Sequence, residues 1–330
     1  MKYCLSQASV SKIQFQSIQK YPIIMRVSSS LYKTVLFACL CFSSPITHAN
    51  QVACFTTNMG QFCIELFETQ TPITTANFIS YINSDAYTNG IFHRSVPDFV
   101  VQGGGFKIIP GTTGESLTAV NPLPPIINEF KISNTRGTVA MAKVGGNPNS
   151  ATSQWFVNLN DNSLNLDNQN GGFTVFGRVI FDGMTVFDAI EKLPVRNLGS
   201  GSFTDTPLKD YDDSSSVSFN NLVRINSVEL IDTASIFSQE ILSFAVDIGT
   251  GNALEVNLRL IQSSPSIVFE LDLNNIVTLD NTPPNIATFS SANGQLHIPS
   301  AMINPSTVIR NVQMQLTNAE SFQFTLVSYE

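Results

Sequence analysis

Hydrophobic and polar positions alternate near period two through residues 52–57 and 61–67, on either side of Asn58-Met59-Gly60. This predicts two strands joined by a hairpin turn, with glycine where a positive φ is needed. Thr71-Pro72 then reads as a cap followed by proline at a first helical position, and Ile73, Ala76, Phe78, Ile79 and Ile82 give an apolar helical face running out near Asn89-Gly90. From residue 91 to 179, short apolar runs are broken by Gly, Pro and Asn, the pattern of a β-barrel or sandwich. Core strands are predicted at residues 99–101, 137–142, 155–157 and 174–180. A second helix is predicted over 182–193, where Met184, Val186, Phe187, Ile190 and Leu193 are apolar. Residues 199–221, rich in Ser, Gly and Asp, read as loop, and 222–230 alternate as a closing strand. A second unit begins near Thr233. Residues 253–260, 312–316 and 322–327 alternate at period two, and Pro283-Pro284 and Asn293-Gly294 punctuate them, so 233–330 reads as a small all-β domain.

The first 49 residues do not follow this pattern. Lys33 precedes an apolar run over residues 34–42, then Ser43-Ser44-Pro45 and Thr47-His48-Ala49, the plan of a secretory signal. The run is too short to span a bilayer stably. Met25 as the start gives a signal of ordinary length ending at Ala49; lipid attachment at Cys39 is the rival, which Phe37 fits poorly. Residues 1–49 are thus expected to leave and the remainder to be exported, to the periplasm first and to the cell surface or exterior as the alternatives, with no stable membrane insertion.

Composition then narrows the chemistry. The chain of 330 residues carries a formal charge of −8, and the five basic residues before Asn50 stand without one Asp or Glu. Their loss leaves a strongly acidic remainder, a poor footprint for nucleic acid, which needs clustered positive charge. Past residue 49 only two histidines remain, His93 and His297, in different predicted domains. A Ser-His-Asp or Cys-His constellation is hard to assemble from them, and no metal ligand set is legible. Gly103-Gly104-Gly105 follows a strand but continues into no phosphate fingerprint, and residues 161–172 lack calcium-loop spacing. Cys54 and Cys63 face one another across the predicted hairpin, either as a structural disulfide or as two small buried thiols.

One segment is highly specific. Phe92-His93-Arg94-Ser95-Val96-Pro97-Asp98-Phe99-Val100-Val101-Gln102-Gly103-Gly104 resembles the signature of the cyclophilin-type peptidyl-prolyl cis/trans isomerases. Asn134-Thr135-Arg136-Gly137, Ser153-Gln154-Trp155-Phe156-Val157-Asn158, Leu166-Asp167 and Val175-Phe176-Gly177-Arg178 agree in order and distance with the bacterial branch. The resemblance covers about residues 51–232. It implies an eight-stranded antiparallel barrel capped by two helices over 50–232. It also implies a reaction that needs no metal or cofactor, only proline-containing polypeptides as partners, with a monomer expected.

By that resemblance Arg94 donates to the prolyl nitrogen, Gln102 orients the substrate carbonyl and helps hold the arginine, and Phe99, Val100, Phe156 and Leu166 grip the proline ring. Ala142, Lys143, Gln154 and Phe173 match positions that touch flanking backbone or close the pocket. His93 is expected as a hydrogen-bonded structural histidine. The chain departs from the pattern at three places. Val100 replaces a more usual methionine, and Lys143 a common asparagine, adding a charge suited to acidic flanks. Asn165 stands where many eukaryotic members have a tryptophan that binds the drug cyclosporin, which implies weak binding of that drug. A binding module or holdase using the same groove is the alternative reading, and a surface adhesin with a vestigial barrel a third.

Overall fold

The computed structural model describes residues 51–111, 114–199, 201–233, 235–248, 253–279, 282 and 285–330. The signal reading and its cleavage site lie outside them. The first half contains β1 (Gln51–Thr57), β2 (Gly60–Leu66), α1 (Pro72–Asn83), β3 (Arg94–Val96), β4 (Val100–Gly103), β5 (Phe106–Gly111) and β6 (Gly114–Ala119). There follow β7 (Thr138–Met141), β8 (Trp155–Asn158), α2 (Ser163–Leu166), β9 (Val175–Ile180), α3 (Met184–Glu191), β10 (Val195–Arg196), β11 (Thr206–Pro207) and β12 (Ile225–Asp232). Eight of these strands form one curled antiparallel sheet in the order β12-β1-β2-β9-β7-β8-β4-β3. Its ladder does not close from β3 to β12. The two ends approach through a single bridge, Ile91 to Arg224. The protein is mainly β, as expected, and α2 adds one helical turn to the two helices anticipated.

Alternation decides what this sheet buries. Phe55, Phe62, Ile64, Val101, Val139, Trp155, Val157 and Phe176 point inward and form the core with Phe78 and Phe187 from the helices. Rings pack closely there, Phe55 on Phe62 at 4.8 Å and Phe78 on Phe176 at 4.7 Å. Each such buried ring contributes about 1.5–3 kcal/mol relative to exposure. The intervening residues of the same strands point out, and they carry everything functional described below.

Helix α1 starts at Thr71-Pro72 as expected, and Phe78, Ile79 and Ile82 face the core as read, but its first turn presents a different side inward. Ile73 and Ala76 are exposed, whereas Thr74, Thr75, Asn77, Phe78 and Tyr81 are buried. The aromatic pair anchors the core, and Tyr81 Oη accepts the Leu123 N–H at 2.7 Å. Nor does Thr71 cap the helix, since its hydroxyl donates to the Phe67 carbonyl. The free N–H groups of Ile73 and Thr74 are met instead by the Glu129 carboxylate, at 3.3 and 2.7 Å. A carboxylate at a helix N-terminus satisfies two donors and the local dipole at once. The helix ends at Asn83, earlier than its pattern suggested, and Asp85 follows at φ 57°.

The C-terminal part is all β: β13 (Ser235–Ser238), β14 (Ile241–Asp247), β15 (Ala253–Gln262), β16 (Val268–Leu271), β17 (Val277–Leu279), β18 (Ala287–Ser290), β19 (Gln295–Asn304), β20 (Thr307–Asn318) and β21 (Gln323–Ser328). β14, β15, β16, β21, β20, β19 and β18 close a ring around its own core, including Phe244, Leu258, Phe269, Met314 and Phe324. It meets the first sheet through Val52, Cys63 and Ile180 against Ile236 and Met302, and the Phe181 N–H donates to Ser238 Oγ at 2.7 Å. Among the described residues no helix is long and apolar enough to cross a membrane.

The β1–β2 hairpin pairs Cys54 directly with Cys63, and the two form a disulfide. Gly60 at the turn has φ 130°.

Candidate functional site

Register assembles the site. In the β3–β4 ladder Arg94 lies opposite Gln102, Gln102 lies opposite Phe156 on β8, Phe156 opposite Ala140 on β7, and Ala140 opposite Val175 on β9. Directly opposed residues point to one face, with Cβ atoms about 4.5–5.5 Å apart. A row therefore crosses the outer face of the sheet from a guanidinium, through an amide, to apolar side chains. Val100, two residues from Gln102, points the same way.

Val100, Ala140, Phe156, Leu166 and Val175 form a buried apolar cluster, edged by the half-buried Phe67, Phe99, Ile132, Ala142 and Phe173. Phe173 meets Phe156 at 5.8 Å, nearly edge-on. Arg94, Phe99, Gln102, Ala142, Lys143, Gln154 and Phe173 are all half-buried, so the site is an open groove rather than an enclosed cavity. All ten positions picked from the sequence belong to this one patch.

Polar contacts orient its rim. Gln102 Nε2 donates to Gln154 Oε1 at 2.8 Å, and the Gln154 carbonyl accepts the Ala142 N–H at 2.9 Å. Arg94 Nε stands 3.6 Å from Asp205 Oδ2. The Asp205 backbone carbonyl accepts the Ser95 N–H, which fixes its segment alongside β3. The glycine run matters by its lack of side chains. Gly104 has φ 76° and a Cβ there would stand 2.5 Å from the Ser153 carbonyl, while one on Gly105 would stand 2.9 Å from Gln154 Cδ. Gln154 and Trp155 need that room.

Two expectations change. His93 is buried on the other face of the strand, its ring edge-on to Phe106 and Phe203 at 5.2 and 6.2 Å. Neither ring nitrogen makes a hydrogen bond of ordinary geometry, although the Gln154 side chain and the Ile91 backbone approach it. Burial, and then the Arg94 charge, push its pKa down to about 4, so it is neutral near pH 7. Lys143 does not offer a free charge to acidic flanks. Its Nζ donates to the Asn170 and Gly172 carbonyls at 2.9 and 2.6 Å and lies 4.8 Å over the Phe173 ring. Burial lowers its pKa to about 8. Its role here is to tie the 170–172 turn and Phe173 in place.

A network of asparagines that joins residues 134 and 158 to the 161–172 stretch supports the site. Asn134 Nδ2 donates to Asp167 Oδ1 and to the Phe173 carbonyl at 2.9 and 3.0 Å. Asn158 Nδ2 donates to Thr138 Oγ1 at 2.9 Å, and Asn162 Nδ2 to Asn158 Oδ1 and the Phe99 carbonyl, both at 2.8 Å. The network runs beneath Phe99, Leu166 and Phe173 and holds their backbone. Its only trace in the sequence is Asn158, an asparagine between the apolar Val157 and Leu159. Asp205 left no trace at all, because its meeting with Arg94 depends on chain more than a hundred residues away. Among the described residues, no three His, Cys, Asp or Glu side chains gather as metal ligands would.

A family model described as cyclophilin type peptidyl-prolyl cis-trans isomerase/CLD matches residues 52–212. A peptidyl-prolyl cis-trans isomerase of Acinetobacter baylyi is 44% identical over 154 residues, 46% of this chain and 77% of that protein. Peptidyl-prolyl cis-trans isomerase B of Escherichia coli is 40% identical over 162 residues, 47% of this chain and 92% of that protein. A solved cyclophilin type peptidyl-prolyl cis-trans isomerase of Cryptosporidium parvum aligns with 56% of this chain and 99% of that one, at 23% identity and a TM-score of 0.41.

Proposed function

The chain belongs to the cyclophilin-type peptidyl-prolyl cis/trans isomerases, and from that premise we propose that Arg94 drives X-Pro rotation in exported client proteins gripped by the Phe99–Phe156–Leu166 pocket. The carrying observation is the Arg94–Gln102–Phe156 row, which places a guanidinium beside an apolar seat for the proline ring.

Amide resonance holds the X-Pro bond behind a barrier of about 18–20 kcal/mol, and unaided rotation takes tens to hundreds of seconds. No bond breaks and no net proton moves. In the twisted state the prolyl nitrogen becomes pyramidal and gains a lone pair, which the planar ground state lacks. A donor aimed at that lone pair therefore stabilises the transition state selectively. Arg94 serves because its guanidinium presents fixed donors, and Asp205 stands 3.6 Å from its Nε. Gln102, itself held by Gln154, stands where it can orient the substrate carbonyl.

A protease-coupled peptide assay tests this. Arg94→Ala is expected to lower kcat/KM by about a hundredfold, the scale of one lost transition-state donor. Unchanged isomerisation in that variant would refute the role of Arg94, whereas peptide binding without isomerisation in the wild type would favour a binding module or holdase.

Export is part of the same reading. The basic, apolar and small-residue order of residues 1–49 supports it, and so does the Cys54–Cys63 bond, which persists in oxidising compartments. We take residues 50–232 as the isomerase domain and 233–330 as the appended domain. Mature protein recovered from the cell exterior or periplasm should begin near Asn50; a mature start upstream of Lys33 would contradict this.

A further inference from the structure

The outer face of the first sheet carries a second feature beside the prolyl groove. Where the C-terminal barrel docks, a cleft of about 290 Å³ opens, walled by Gln70 and Arg178 on one side and Glu255, Asn257, Arg259 and Asn275 on the other. Two stretches of chain build both the groove and the cleft. Phe67 edges the apolar cluster and Gln70 lines the cleft, within one turn closed by the Thr71 N–H on the Phe67 carbonyl at 2.9 Å. On β9, Val175 belongs to the cluster and Arg178 to the cleft, about 10 Å apart at the usual strand rise. Three or four residues of extended polypeptide cover that span.

The charges of the cleft are mutually offset. Arg178 Nε is committed to Glu65 Oε2 at 2.5 Å. Burial, and then the neighbouring Glu65, raise the pKa of Glu255 and draw it toward the neutral form. Arg259 stands near Asp272, whose carboxylate also accepts the Asn274 N–H and the Asn275 amide. Three amides, Gln70, Asn257 and Asn275, line the cleft beside four charged side chains, Asp272 among them, whose charges offset one another, so it selects by hydrogen bonding more than by net charge.

We propose that this cleft is an extension of the substrate groove, in which the appended domain binds an extended, uncharged, hydrogen-bonding stretch of the client chain a few residues from the isomerised proline. The assignment rests on the isomerase reading above and gives the C-terminal barrel a role in choosing clients. It predicts that substrates with Ser, Thr, Asn or Gln near the proline are preferred on one flank only, because only one end of the groove meets the cleft.

The test uses the full chain and three peptide types around one X-Pro core: a tetrapeptide, the same peptide lengthened by five Ser/Asn residues on either side, and versions lengthened with Glu or Lys. One of the two uncharged extensions should lower KM about tenfold, the size of a few net hydrogen bonds. Asn275→Trp, at an exposed wall position, should return that KM to the tetrapeptide value while leaving tetrapeptide kinetics unchanged. Equal KM for every peptide would overturn the proposal, and so would tighter binding of a charged extension. A chain that fails to turn over even the tetrapeptide would defeat the isomerase reading instead. Fluorescence anisotropy then still decides the cleft: tenfold tighter binding of the Ser/Asn peptide supports it, and equal binding rejects it.

Discussion

Replacing Asn158 by leucine keeps the branched four-heavy-atom side chain and removes its polarity at a fully buried position. Four contacts go: Nδ2 to Thr138 Oγ1 at 2.9 Å, Nδ2 to the Thr138 carbonyl at 3.4 Å, Nδ2 to Asn134 Oδ1 at 3.3 Å, and the bond accepted from Asn162 Nδ2 at 2.8 Å. Their consequences differ. Thr138 Oγ1 still donates to the Thr135 carbonyl, and Asn162 Nδ2 keeps the Phe99 carbonyl. Asn134 Oδ1 is left without a partner, and one N–H of Asn162 loses its acceptor. Two buried polar groups at about 1–3 kcal/mol each, less about 1–2 kcal/mol for the new apolar burial, give a net loss of about 3 kcal/mol. Trp155 is the protein's single tryptophan and lies wholly inside the first core, so its fluorescence reports that domain alone. With a urea slope of about 2 kcal/mol/M, the midpoint should fall by about 1.5 M. The proline pocket should loosen with it, raising KM, since Phe99 and Phe173 are held through this network. A midpoint shift below about 0.3 M would refute the reasoning. So would strict additivity with Asn134→Leu, which removes the orphaned oxygen and should cost less in the Asn158→Leu background than alone.

Acid should expose the cost of His93. Its pKa is about 4 when folded and about 6.5 when unfolded, so as pH falls between those values the unfolded chain takes up a proton that the native state refuses. Stability is therefore lost on going from pH 6.5 to 4, on the order of 3 kcal/mol at 1.36 kcal/mol per unit. His93→Leu should show a shallower slope by the Trp155 signal, and equal slopes in both proteins would count against it. Converting Cys54 and Cys63 together to alanine should cost about 2–3 kcal/mol through the chain entropy of a short loop. Unfolding of the oxidised wild type and of the double variant at the same urea concentration would contradict that.

Much of the site was legible through the resemblance of residues 92–104 and 153–158 to the family signature, and strand alternation agrees with it where strands carry the residues. Val100, Gln102 and Phe156 alternate with Val101 and Val157, and period two alone assigns the first set and the second to opposite faces. The Cys54–Cys63 register followed from the hairpin turn for the same local reason. Legibility failed where a partner came from afar. The apolar face read for α1 held at Phe78, Ile79 and Ile82 but failed in the first turn, where Glu129, 55 residues from Thr74, and the core rings drew Thr74 and Thr75 inward and left Ile73 and Ala76 exposed. Lys143 read as a free charge because nothing nearby in the chain reveals the Asn170 and Gly172 carbonyls.

Alternation along the chain established strands such as those at 52–57, 61–67 and 155–157 and the hairpin that sets Cys54 opposite Cys63, while the signature resemblance named Arg94, Gln102 and Phe156. Only the folded sheet decided that β4 lies between β3 and β8, so that Arg94 meets Gln102 and Gln102 meets Phe156 in one line. It also decided that Asp205 reaches Arg94 and that the second barrel shares a cleft with Gln70 and Arg178 of the first domain. The reason is that a side chain's face is set by its own backbone, whereas the neighbour of a strand is set by the packing of the whole core, where register between distant segments is chosen collectively.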